Sequence, residues 1–211
     1  MARLRRRAVP PRARAPGRRN RHYSGMDDPL AALLRGYQPA GRDEIADLAR
    51  VARLVRAADD PWSRATPLHV TASALIVQPE TGQILLRWHP RQQAWLQVGG
   101  HADPGERDPV AIALREATEE TGLTDLVPWP EPALTHLVVV PVAAGRGEPE
   151  HEHADLRFLL ATRNPGAVTA EHPDAPLRWL SVEAAAETTS EPNLRETLHR
   201  AGNLLARLQP G

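Results

Sequence analysis

The sequence predicts an α/β (α+β) fold with a mixed β-sheet, and three observations carry that prediction. From residue 28 onward, short apolar segments of strand character are interleaved with segments of helical period, and no internal repeat interrupts them. A hydrophobic fraction of 41% with 25% charged residues is ordinary for a globular chain, and 211 residues suffice for one well-buried core. A glycine-rich turn at Gly99-Gly100 leads into a central helix, and a further helix closes the chain.

Residues 28–35 and 43–58 read as two amphipathic helices, the second with Ile45, Leu48, Ala49, Ala52 and Val55 on one face. Pro61-Trp62-Ser63-Arg64 links them to the first strand. Residues 69–78 and 83–89 look like strands joined by the turn Pro79-Glu80-Thr81-Gly82, and residues 95–98 form a strand leading into the glycine turn. The next helix is well marked. Asp108 is a good N-cap, Pro109 suits the first helical position, Val110, Ala113, Leu114 and Ala117 recur at helical spacing, and Gly122 closes the C-terminus. Residues 134–142 and 155–161 are strongly apolar strands, 177–180 a short one, and 183–187 and 194–208 are helices.

On the central helix Glu116, Glu119 and Glu120 stand at i, i+3 and i+4, so their three carboxylates share one face. Like charges at that spacing repel, which implies a compensating cation. Oxygen ligands favour Mg²⁺, Mn²⁺ or Ca²⁺ over zinc, and the absence of cysteine removes thiolate sites.

The run Arg115-Glu116-Ala117-Thr118-Glu119-Glu120-Thr121-Gly122-Leu123, preceded by Gly100 and Glu106, resembles the Nudix box of the Nudix hydrolases. The resemblance covers about residues 68–190 at the level of fold and only the box at the level of motif. It implies a Nudix-type αβα sandwich with an N-terminal helical extension, and Mg²⁺-dependent (or Mn²⁺-dependent) hydrolysis of a diphosphate linkage in a nucleoside diphosphate derivative. It also implies roles: Glu116, Glu119 and Glu120 as metal ligands with the Gly100 carbonyl facing the ion, Arg115 pairing with Glu106 to hold the loop against the helix, and Glu116 or a later glutamate as the base. One departure stands out. The family pattern has seven residues between its first glutamate and the arginine, whereas Glu106 and Arg115 enclose eight. An insertion inside the helix would rotate the ligands by about 100°, so the extra residue is expected in the turn at Arg107-Asp108. A noncatalytic nucleotide-binding sensor domain and an RNA-end pyrophosphohydrolase are the alternative functions.

Residues 148–155 read as a polar loop, where Glu150 and Glu152 are candidates for an additional ligand or base. His151 and His153 stand two apart but have no third ligand close in sequence, so they read as polar surface residues rather than a metal pair. Asp155 and Arg157 would share a side with His153, as a cleft lining or an ion pair. Gln97, His101 and Trp95 cluster around the box and are candidate substrate contacts, the tryptophan by stacking on a base.

The formal net charge of zero hides an asymmetry. Arginine supplies all 26 positive charges; nine fall in residues 1–25 without one acid, which leaves the remainder 17 against 26, or −9. Residues 1–25 are expected to be a disordered Arg/Pro-rich tail, with Met26 favoured as the true start; a basic arm for nucleic acid or a targeting peptide are the other readings. Residues 26–62 would then be the helical extension and 63–211 the Nudix domain. The expected setting is cytoplasmic, with a small nucleotide-type substrate, no membrane, nucleic acid only if the tail is native, and a homodimer interface as one use of the N-terminal helices.

Overall fold

The computed structural model describes residues 28–145 and 147–208, so the expected tail of residues 1–25 and the start at Met26 lie outside the described residues. Helix α1 (Pro29–Gly36) begins where Asp28 accepts from the Leu30 amide at 3.0 Å, with proline in its first turn. Helix α2 (Arg42–Ala57) comes next, and then strands β1 (Leu68–Gln78), β2 (Gln83–His89), β3 (Ala94–Leu96) and β4 (Val98–His101). Helix α3 (Pro109–Thr121) carries the box; β5 (Val127–Pro128), β6 (Leu134–Val142), β7 (His151–Ala161) and β8 (Leu177–Leu180) complete the sheet. Helices α4 (Val182–Thr188) and α5 (Pro192–Leu208) close the chain.

All eight strands belong to one mixed sheet, as expected: β1 and β7 run parallel at its centre, and every other pair is antiparallel. Alternation along the central strands divides the core in two. Val70, Ala72, Ala74 and Ile76 of β1, with Ala154, Leu156, Phe158 and Leu160 of β7, pack against α1, α2 and α3. Leu75 and Val77, with Leu159 and Ala161, pack against α4 and α5. Helices therefore cover both faces, which is why β1 is buried almost without interruption, even where His69, Thr71 and Ser73 alternate with apolar residues.

Four points depart from the sequence reading. Residues 95–98 are not one strand: the chain breaks at Gln97, because β3 pairs with β2 whereas β4 pairs with β1. The strand expected at 155–161 begins at His151, so most of the supposed polar loop is strand; its first residues find backbone partners in both β1 and β6. Strand β5, two residues long, gave no periodicity to detect.

The fourth concerns α2. Its buried residues are Glu44 and Val51, while Ile45 is 54% exposed. The helix turns this way because it covers β6, which among the described strands pairs with β7 alone and would otherwise present unpaired amides. Glu44 accepts from the Leu137 amide at 3.2 Å and Asp47 from the Val139 amide at 2.9 Å, so carboxylates three apart on the helix match amides two apart on the strand. Glu44 also takes the Tyr37 hydroxyl, the Ala40 amide and both ends of the Arg200 guanidinium from α5, at 2.9 and 3.0 Å. The N-terminal helices are thereby fastened to both β6 and the last helix.

Candidate active site

Two elements place the box. Strand β4 lies antiparallel to β1, with Gly99 opposite Ser73 and Gly100 opposite Ala72. Gly99 has φ +144°, and a Cβ there would fall on the backbone of Ser73 and the carbonyl of Ala72, so only glycine allows this approach. At Gly100 a Cβ would stand 2.6 Å from one carboxylate oxygen of Glu116 and 2.7 Å from the other. The missing side chain is what leaves room for the Glu116 carboxylate against the strand.

The loop between β4 and α3 is held by charge. The Asp103 amide donates to Glu106 at 2.7 Å, and Arg115 grips the Glu106 carboxylate with Nε and Nη2, both at 3.0 Å. Arg115 Nη2 also donates to the His101 carbonyl at 2.8 Å, tying α3 to the end of β4. The bonds to Arg115 hold the Glu106 carboxyl below its ordinary range. Asp108 is taken up as the N-cap of α3, accepting from Val110 and Ala111 at 3.0 and 3.4 Å. Glu106 thus reaches Arg115 across the eight intervening residues, and Asp108 does not stand in for it. Gly122, at φ 68°, ends the helix with its amide on the Thr118 carbonyl at 2.8 Å.

The three box glutamates are not equivalent. Glu116 and Glu120 lie against the sheet, with side chains 16% and 13% exposed, whereas Glu119 is 53% exposed and pairs with Arg115 Nη1 at 2.9 Å. Burial pushes Glu116 up and Glu120 up to about 7, the second despite Arg87 at 3.0 Å and the Gly99 amide at 3.0 Å. Two half-buried carboxylates whose anionic forms the protein itself undercompensates, behind a glycine strand with no side chain in the way, suit a hard divalent cation.

The other sequence-predicted residues are dispersed. Glu152 faces α2 and pairs with Arg50 at 2.5 Å, and Glu150 is exposed before β7. Trp95 is taken up by packing, edge to face with Trp88 at 5.7 Å and beneath the Arg178 guanidinium at 4.4 Å. Gln97 donates to Asp155 at 3.2 Å and Ser73 at 3.4 Å, and its buried Oε1 has no hydrogen-bond partner among the described residues. Asp155 and Arg157 form a buried ion pair at 2.8 Å, with Arg157 reaching Thr197 and Asn193 on α5 at 3.0 and 2.7 Å. The His101 side chain joins His69, His151 and His153, on the face of β4 opposite to Glu116. Sequence reasoning missed Arg87, which spans Glu120 and Glu171. A lone arginine inside the apolar strand 83–89 was the available signal, since a half-buried guanidinium needs an anion.

Comparison with known proteins fits this geometry. The family model of the NUDIX domain matches residues 67–201. The chain belongs to the NUDIX domain family. It is 32% identical over 114 residues to a Lactococcus lactis subsp. cremoris (strain MG1363) protein named "Probable DHNTP pyrophosphohydrolase", an alignment covering 50% of this chain and 61% of the relative. The chain therefore spans less than two thirds of that relative. Among solved structures, a C. elegans Ap4A hydrolase is similar as a binary complex (TM-score 0.52) and by itself (TM-score 0.51), at 23% identity each. These cover 66% and 64% of this chain and 98% and 97% of theirs, and at that identity the likeness is one of NUDIX fold.

Proposed function

We propose that this NUDIX protein hydrolyses a diphosphate linkage in a small nucleoside diphosphate derivative. The observation that carries the reading is the pair of half-buried carboxylates, Glu116 and Glu120, held behind the side-chain-free strand Gly99-Gly100. The relative named as a pyrophosphohydrolase supports the reaction class.

Glu116 and Glu120, with the Gly100 carbonyl and the more exposed Glu119, would hold Mg²⁺ or Mn²⁺. Such an ion neutralises phosphate oxygens and lowers the pKa of bound water. The chain supplies the rest. Arg115 fixes the loop through Glu106 and the His101 carbonyl, so that the strand and helix sides of the site keep one spacing. Arg87 orients Glu120 through Oε1 while the Gly99 amide holds Oε2, leaving that carboxylate little rotational freedom. The proton of the attacking water would pass to Glu116 or to another carboxylate at the site. Gln97 is held by Asp155 and Ser73 and its buried Oε1 is out of a substrate's reach, so it is given no role. Trp95 and Glu152 are engaged elsewhere and are given no role.

The test is product analysis by phosphorus NMR on a panel of nucleotide diphosphate compounds with Mg²⁺ or Mn²⁺, with Glu120→Gln as control. Cleavage of one compound by the unsubstituted protein alone would support the reaction and identify its substrate class. Tight metal-dependent binding without cleavage of any would replace it with a sensor role.

A further inference from the structure

Four histidines from three strands converge at one end of the sheet. In the parallel register of β1 and β7, His69 stands opposite His153, and His151 lies two residues earlier on the same face. The antiparallel register of β1 and β4 puts His101 opposite Thr71, on that face as well. His69 is 1% exposed and the other three are intermediate. His101 Nε2 lies 3.1 Å from His69 Nε2 and 3.2 Å from His153 Nε2, and His153 Nε2 lies 3.1 Å from His151 Nε2.

We propose that His69, His151 and His153, with His101 as fourth partner, form a nitrogen-donor site for a borderline divalent cation of the zinc type, separate from the box carboxylates. The site stands independently of the diphosphate reaction. Ligand nitrogens of His69, His151 and His153 all lie within 4.8 Å of one another. In a tetrahedral site with Zn–N bonds of about 2.0–2.1 Å, neighbouring nitrogens are about 3.3 Å apart. The contacts of His101 with His69 and His153, and of His153 with His151, are within a few tenths of an ångström of that, and the ligand nitrogens of His69 and His151 lie within 4.8 Å of each other.

The tautomers make the stronger case. His69 Nδ1 is 3.1 Å from the Thr66 carbonyl and His151 Nδ1 is 2.8 Å from the Pro149 carbonyl. A carbonyl can only accept, so each Nδ1 carries the proton, and each neutral ring turns a bare Nε2 lone pair inward. Metal-bound histidines are commonly oriented in this way, by an outer carbonyl on the second nitrogen.

Hydrogen bonding alone cannot then satisfy the cluster. The Nε2 atoms form a chain of three contacts, from His69 through His101 and His153 to His151, and both ends are acceptors. Each contact needs one donor and one acceptor, so the roles must alternate along the chain. With acceptors at both ends of three contacts they cannot. One contact always sets two lone pairs or two N–H groups face to face, unless a ring gains an extra proton or a cation enters. Imidazole nitrogen suits zinc and its neighbours rather than Mg²⁺, so the two sites differ in the ion they select. An ion here would join the ends of β1, β4 and β7, one residue from Gly100 and beside the carbonyl that Arg115 holds.

Metal-stripped full-length protein, its Glu116→Gln/Glu120→Gln variant and its His151→Ala/His153→Ala variant would each be titrated with Zn²⁺ by calorimetry and with Co²⁺ by visible absorption. One equivalent of Zn²⁺ should bind with unchanged affinity in the glutamine variant and about 100-fold or more weaker in the alanine variant. Co²⁺ should give intense tetrahedral bands that the alanine variant lacks. Equal Zn²⁺ affinity in the alanine variant, or loss of binding only in the glutamine variant, overturns the site. If the alanine variant does not fold, nitrogen NMR of the unsubstituted protein decides. One equivalent of Zn²⁺ must shift the Nε2 resonances of His69, His151 and His153; if they stay in place, the cluster holds only an extra proton.

Discussion

Replacing Glu44 by glutamine removes one negative charge from the junction of α2, β6 and α5 while keeping its volume, and the cost can be worked from the surroundings. Burial alone would push this carboxyl up, but bonds from Arg200, Tyr37 and the amides of Ala40 and Leu137 outweigh it and hold it at about 2, against an ordinary 4.5. At roughly 1.36 kcal/mol for each pH unit of displacement, the ionised carboxylate favours the folded state by about 3 kcal/mol. With its side chain 4% exposed, little of that is screened by solvent. We expect Glu44→Gln to be less stable by about 3 kcal/mol at pH 7, and to melt about 6–12 °C lower for a chain of this size. Because the folded-state value is depressed, the contribution is complete above pH 4.5 and disappears as pH falls toward 2. Urea denaturation at matched pH, wild type minus variant, isolates it from the other carboxylates. The difference should shrink steadily between pH 4.5 and 2. A melting loss under about 2 °C at pH 7, or a difference independent of pH over that window, would refute the assignment.

In the box, Glu120→Gln should lower turnover by about 100-fold or more with an unchanged circular dichroism spectrum, since it removes one charge and little volume; wild-type turnover would sink the ligand assignment. The two adjacent glycines should fail in different ways. Gly99→Ala drives a Cβ into the Ser73 backbone from a φ of +144° and should cost about 2–4 kcal/mol of stability. Gly100→Ala displaces the movable Glu116 carboxylate, so kcat should fall about 10-fold or more while melting changes little; the opposite pattern in the pair would show that the strand, and not the carboxylate, gives way. Asp108→Ala removes the cap of α3 and should cost about 1 kcal/mol, read as a melting loss of about 2–4 °C.

Local rules located most elements because each rests on neighbours in sequence. Asp108, Pro109 and Gly122 mark the ends of α3 by capping chemistry alone, and the period of 134–142 matches β6 to the residue. The same rules misled wherever the environment came from elsewhere. Apolar periodicity set Ile45 inward on α2, but an edge strand across the fold offered amides, and Glu44 and Asp47 turned to meet them. Polar residues at 151–153 looked like loop because their partners, Arg50 of α2 for Glu152 and His69 and His101 for His153, come from other elements.

The motif from Gly100 to Leu123 determined family, helix and glycine turn unaided, since residues within a few turns of one helix have a fixed spacing. Tertiary structure alone decided that Glu119 turns outward to Arg115 while Glu116 and Glu120 lie half-buried against the sheet, and that Arg87, far off in sequence, meets Glu120. It also decided that His151 and His153 have His69 and His101 as neighbours. Such partnerships depend on the register of β1 against β4 and β7, a relation between segments up to some eighty residues apart that no local periodicity encodes.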